Sequence, residues 1–125
     1  MTAASGYLVV FLGAGIGGAL RHAVNRVTST SASSFPWNTM LVNVSGSLAM
    51  GVIAGWFAFR GSGSQQLVLL LTTGVLGGYT TFSAFSLDAA LLWERGDIVG
   101  AALYVVASVG LSLGGLFLGL ALMRP

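Results

Sequence analysis

The stretch "GVLGGYTTFSAFS", Gly74 to Ser86, sits inside an apolar segment that opens near Leu67 and closes near Trp93. It holds three glycines, two threonines and two serines where a membrane helix would be unbroken. Glycine costs a helix about 1 kcal/mol relative to alanine, and threonine is a weak helix former. The residues therefore predict a third helix interrupted near 77–81. An interrupted helix is tolerated at membrane depth only where its backbone is buried in protein or lines a cavity. The break is thus expected to be a site rather than a defect.

The rest of the chain supports the membrane setting. Of its 125 residues, 55% are hydrophobic and only 6% charged, against about 25% charged in soluble domains. Spanning helices need about 20 mostly apolar residues. Segments of that kind cover about 6–27, 37–59, 67–93 and 98–123, which predicts an all-α membrane protein of four helices in one domain. The first run lacks a charged leader and is too long for a signal peptide, so it is expected to be a permanent span. Trp37, Trp56, Trp93, Tyr7 and Phe35 fall near the expected ends, where aromatic belts lie. The connectors "TSTSASSFP", "RGSGSQQ" and "ERGD" are short and polar.

With no cysteine and no lysine, thiolate metal sites and lysine chemistry are excluded. The net charge of +2 reflects five arginines against three acids rather than a basic patch, and no nucleic-acid partner is implied. Arginine asymmetry sets orientation, and here it is close to nil. Arg60 and Arg124 fall to one side, Arg26 and Arg95 to the other, with Arg21 near the latter. Either the chain inserts both ways, which would allow an antiparallel dimer, or Arg21 fixes a weak single orientation.

Glycines spaced by four recur at Gly13/Gly17, Gly51/Gly55, Gly74/Gly78, Gly110/Gly114 and Gly115/Gly119. Such spacing lets helix backbones approach closely in lipid. Four helices packed this way leave no wide lumen, and a narrow path would need a second subunit to complete its walls.

Asp88, Glu94 and Asp97 are the acids, none placed near mid-span by the sequence. A proton-coupled carrier would want a carboxylate there. The lone histidine, His22, fits an interfacial position. Nucleophilic, redox and hydrolytic constellations are missing, so the chain is not expected to be an enzyme. Neutral polar residues instead form rows. Thr39, Asn43 and Ser47 recur every four residues on the second helix, and Tyr104, Ser108 and Ser112 on the fourth, each row sharing a face. Lone serines in helices commonly back-bond to their own carbonyls, but two rows with an Asn among them form tracks of donors. Donors suit a dehydrated anion. Phe82 and Phe85 share a face just after the break, with Ser83 and Ser86 beside them, and aromatic ring edges carry partial positive charge. Arg21 fits either a charge at one end of the path or a snorkelling interfacial arginine. The freed carbonyls of the break suit a cation.

The stretches "GAGIGGALRHAVNR", "NTMLVNVSGS" and "GGYTTFSAFS" resemble the Fluc (CrcB) family of bacterial fluoride channels over essentially the whole chain. The resemblance implies an antiparallel, dual-topology homodimer in the bacterial inner membrane. It would hold two fluoride pores and a central structural sodium ion. By motif, Gly77 and Thr80 match the carbonyl ligands of that sodium. Phe82, Phe85, Asn43, Tyr104, Ser108, Ser112 and Arg21 match the fluoride path, to which the row on the second helix adds Thr39 and the stretch beside the phenylalanines adds Ser83. Ala84 stands where the motif often has Thr, and Asn38 where Gly is common. Two rivals remain at this level. A small multidrug exporter would need an acid in the first helix, and none occurs from Met1 to Val27. A non-transporting assembly subunit would leave the polar rows unexplained.

Overall fold

The computed structural model describes residues 2–28, 35–61 and 63–125. Helix α1 spans Ala3–Thr28 and α2 Trp37–Arg60. The third segment is composite: α3 Gln65–Leu69, a π-helical stretch Leu70–Leu76, α4 Gly77–Tyr79 and α5 Phe82–Glu94. Helix α6 spans Ile98–Met123. Among the described residues four helical segments, 3–28, 37–60, 65–94 and 98–123, are long and apolar enough to cross a membrane. The connector at 28–36 falls mostly outside the described residues.

Local chemistry explains the ends. Gly61 closes α2 at φ 65°, a left-handed position that glycine takes without penalty. The Ser64 hydroxyl accepts from the Leu67 amide at 3.1 Å and caps α3. The Asp97 carboxylate accepts from the Gly100 amide at 2.9 Å and caps α6. Between α5 and α6 the chain turns at Gly96, φ 82°.

The glycines of the opening stretch do not themselves break the helix. Gly74 stays in the π-helical stretch and Gly77 and Gly78 in α4. Their missing side chains serve packing instead. A Cβ on Gly13 would stand 2.8 Å from the Gly74 Cα, and one on Gly78 would stand 2.9 Å from the Ala14 Cα. The chain becomes extended only at Thr80 (φ −83°, ψ 158°) and Thr81 (φ −151°, ψ 117°). The second seam joins α2 to α6, where a Cβ on Gly51 would lie 3.1 Å from the Gly119 Cα. By contrast Gly110 and Gly114 have nothing within 4 Å of where a Cβ would sit, so that pair serves no close contact among the described residues. Between α2, α5 and α6 lies the core: Met40, Phe85, Leu92, Ala101 and Tyr104, with Leu92 and Tyr104 essentially inaccessible.

Candidate anion pathway at the helix break

Helix α2 builds the break. The Asn43 side-chain amide donates to the Thr81 carbonyl at 3.0 Å, and its oxygen accepts the Thr81 amide at 2.8 Å. One side chain thus pairs both polar groups of an extended residue, as a neighbouring strand would. Two residues earlier, the Tyr79 and Ser45 hydroxyls meet at 2.9 Å. Between them, Gly46 leaves room for the Thr80 methyl and the Tyr79 ring. Thr81 also caps α5, its hydroxyl accepting the Ala84 amide at 3.1 Å.

These contacts release carbonyls. Leu76 is the last in the ladder, accepting from the Thr80 amide at 3.0 Å and the Thr80 hydroxyl at 2.9 Å. The amide that would continue the ladder to Gly77 is that of Thr81, which is held by Asn43. The amide in helical register with the Thr80 carbonyl is that of Ala84, which the Thr81 hydroxyl takes. The carbonyls of Gly77 and Thr80 therefore lose their helical donors. Both are hard oxygen ligands of the kind alkali and alkaline-earth cations prefer.

Beside the break lies a cleft of about 390 Å³. It gathers Asn43 and Ser47 from α2, Ser108 and Ser112 from α6, Thr80 and Thr81 from the break, and both phenylalanines. Thus two rows read on separate helices and the aromatic pair of a third line one space. Phe85 is buried at 9% exposure, whereas Phe82 stands open at 77%. Their centroids are 5.4 Å apart at an interplanar angle of 56°. Ser108 is 4% exposed, and its hydroxyl is the one buried side-chain polar atom without a partner among the described residues.

The outer members of the rows sit elsewhere. Tyr104 is fully buried, and its hydroxyl donates to Asp88 at 3.1 Å with Thr39 beside it. Its ring lies 5.2 Å from Phe85 and 5.5 Å, edge-on, from Phe35. Thr39 and Tyr104 therefore continue the rows behind Phe85 rather than in the cleft wall. Ser83 is exposed, with its hydroxyl 3.3 Å from that of Thr81, and Arg21 is half-buried on α1; neither lines the cleft.

Sequence reasoning missed Asp88, Ser45 and Tyr79. Asp88 lies three residues after Phe85 on α5, one turn away on the same face, and that spacing was a signal for its approach to the rows. Ser45 and Tyr79 carried no such signal, because their pairing depends on how α2 crosses α4.

The family model described as "CrcB-like protein, Camphor Resistance (CrcB)" matches residues 8–120. The chain is 60% identical to the fluoride-specific ion channel FluC of Rhodopseudomonas palustris (strain BisB5) over 119 residues, covering 94% of this chain and 96% of that protein. It is likewise 60% identical to the fluoride-specific ion channel FluC 2 of Nitrobacter hamburgensis, with the same coverage of both chains. Identity to the fluoride-specific ion channel FluC of Methylobacterium nodulans is 56% over 117 residues, covering 94% of each.

Proposed function

The chain belongs to the CrcB family, and from that premise we propose that it is a passive, fluoride-selective ion channel of the bacterial inner membrane. It exports fluoride from the cytoplasm and so limits its toxicity. The observation that carries this reading is the unpartnered Ser108 hydroxyl in the wall of the cleft. A buried hydroxyl without a partner costs about 1–3 kcal/mol, and a dehydrated anion beside it would repay that cost.

Ser47 and Ser112 extend the donor track along the cleft. The second N–H of the Asn43 amide remains for an anion, since Thr81 takes one hydrogen and the oxygen. Ring edges of Phe82 and Phe85 supply partial positive charge while keeping the ion dry. Chloride, being larger, gains less from closely placed donors and meets a tighter steric limit. Neutral HF enters by diffusion and dissociates inside, and the membrane potential then drives the anion out. No proton-carrying carboxylate or nucleotide is required.

Two copies in antiparallel orientation complete the walls in this reading. The freed carbonyls of the break need protein or a cavity around them at membrane depth, and a second copy laid against Phe82 would supply it. The carbonyls of Gly77 and Thr80 fit a structural sodium ion as ligands. Bound there, it would neutralise carbonyl dipoles at the meeting of two breaks. The multidrug-exporter reading is disfavoured because α1 carries no acid.

The test is anion efflux from liposomes holding purified protein, with fluoride and chloride electrodes in parallel and a potassium ionophore present. Fast fluoride loss with negligible chloride loss, without a proton gradient, is expected. No fluoride loss from folded protein would overturn the reading in favour of an assembly role. Replacing Phe82 and Phe85 together by isoleucine is expected to suppress fluoride flux by about tenfold or more, the equivalent of about 1.4 kcal/mol in the barrier. The elution volume of the protein should not change. Normal flux in that variant would remove the rings from the mechanism.

A further inference from the structure

The break is held at three successive residues, and all three partners lie within one turn of α2. Thr81 is clamped through its backbone by Asn43. Thr80 packs its methyl against Gly46. Tyr79 reaches across to Ser45, hydroxyl to hydroxyl, at 2.9 Å. Either hydroxyl can be the donor of that last bond, and the Ser45 hydroxyl also reaches the Val42 carbonyl of its own helix at 3.2 Å.

Thr80 is therefore bracketed. On its C-terminal side the backbone is fixed directly. On its N-terminal side Gly77–Tyr79 is the last turn of the helix that runs on from Gln65 through the π-helical stretch, and it is seated on α1 where Gly78 meets Ala14. The Leu76 carbonyl holds the Thr80 amide, and the side-chain hydrogen bond that ties this last turn to α2 is that of the Tyr79 hydroxyl. The carbonyls of Gly77 and Thr80, both without a helical donor, flank the residue pair 78–79 that this hydroxyl pins.

We propose that Tyr79 and Ser45 form a positioning pair that aims the Gly77 and Thr80 carbonyls at a bound monovalent cation. The inference rests on the sodium reading above but assigns to this chain a control that the carbonyls alone do not supply. Neither side chain touches the ion. Both act through the backbone of α4. The cleft and its donors are left in place when the pair is removed, because Asn43 still clamps Thr81.

A merely structural contact would lower stability by the same amount whatever cation is present. A positioning pair would lower it chiefly when sodium is bound, because ligand stabilisation follows the affinity of the folded state. The experiment is thermal unfolding of the purified, detergent-solubilised protein in sodium chloride and in N-methylglucamine chloride. Wild-type, Tyr79→Phe, Ser45→Ala and the double variant are compared. Sodium is expected to raise the Tm of the wild type. Tyr79→Phe should lose about half or more of that rise while keeping most of its sodium-free Tm. Ser45→Ala should match it, and the double variant should be no worse than either, as expected of one shared interaction. Equal losses of Tm in both salts, or additive losses in the double variant, would overturn the pair. A wild type that gains nothing from sodium would overturn the cation site and the pair together. Fluoride efflux from the same wild-type sample is read separately, so a failure of the channel reading shows itself apart from a failure of the pair.

Discussion

Asn43→Leu is expected to cut fluoride flux to about a hundredth of wild type or less. Leucine matches asparagine in size but pairs with nothing. The amide and carbonyl of Thr81 would then lose partners at 2.8 and 3.0 Å. Each unpaired backbone group costs about 1–3 kcal/mol where water does not reach. The extended conformation at Thr80 and Thr81 is worth keeping only while those groups are paired, so the break should shift toward continued helix. That shift would draw back the freed carbonyls and turn Phe82 and Phe85 away from the cleft. Two lost bonds at about 1.4 kcal/mol each, inside that range, give about a hundredfold. Efflux from liposomes measures the flux, and size-exclusion chromatography checks that the protein is still assembled. Flux within about twofold of wild type would mean the break holds without α2.

The second large effect separates two glycines two residues apart. Gly17→Ala should destabilise strongly, whereas Gly15→Ala should be neutral or stabilising. A Cβ at Gly17 would collide with the Val75 carbonyl oxygen and stand 2.8 Å from the Tyr79 nitrogen. Both are backbone atoms of the third span, which cannot step aside as a side chain can. Overpacking of this kind costs about 1–3 kcal/mol and more where backbone must shift. A Cβ at Gly15 meets nothing within 4 Å, and alanine is worth about 1 kcal/mol over glycine in a helix. Thermal unfolding in detergent distinguishes them. Equal Tm values for the two variants would show that α1 does not seat against the π-helical stretch as described. Because the stretch it contacts leads directly into α4, Gly17→Ala is also expected to lower flux in whatever fraction remains folded.

The contrast between these glycines marks where sequence reading stops. Gly13, Gly15, Gly17 and Gly18 all lie on one helix and read alike. Only the crossing of α1 over the third span makes Gly13 and Gly17 obligatory and leaves Gly15 and Gly18 with nothing near them. The same holds for Gly110 and Gly114, whose spacing matches that of Gly51 and Gly55 but which meet nothing among the described residues. Spacing reports that a close approach is permitted. It does not report whether a partner is there.

The sequence by itself determined the class of the protein. Hydrophobic runs of spanning length, scarce charge and short polar connectors dictate four membrane helices, because a continuous apolar run of about 20 residues satisfies its backbone in lipid as a helix, whereas barrel strands are about half as long. Residues four apart must share a helix face, so the rows Asn43/Ser47 and Ser108/Ser112 were legible as rows. The string "GGYTTFSAFS" sufficed to indicate the family. What only the tertiary structure decided is which groups meet. The helix penalty of the glycines pointed to them as the break, yet packing on α1 keeps them helical, and the extended residues are the two threonines that α2 can pair. Tyr104 read as part of an open track, but the approach of α5 gives its hydroxyl to Asp88 and buries its ring. Local propensity and periodicity act within a few residues of the chain. The pairing of Asn43 with Thr81, 38 residues away, and of Ser45 with Tyr79, 34 away, is set by helix crossings that no local signal encodes.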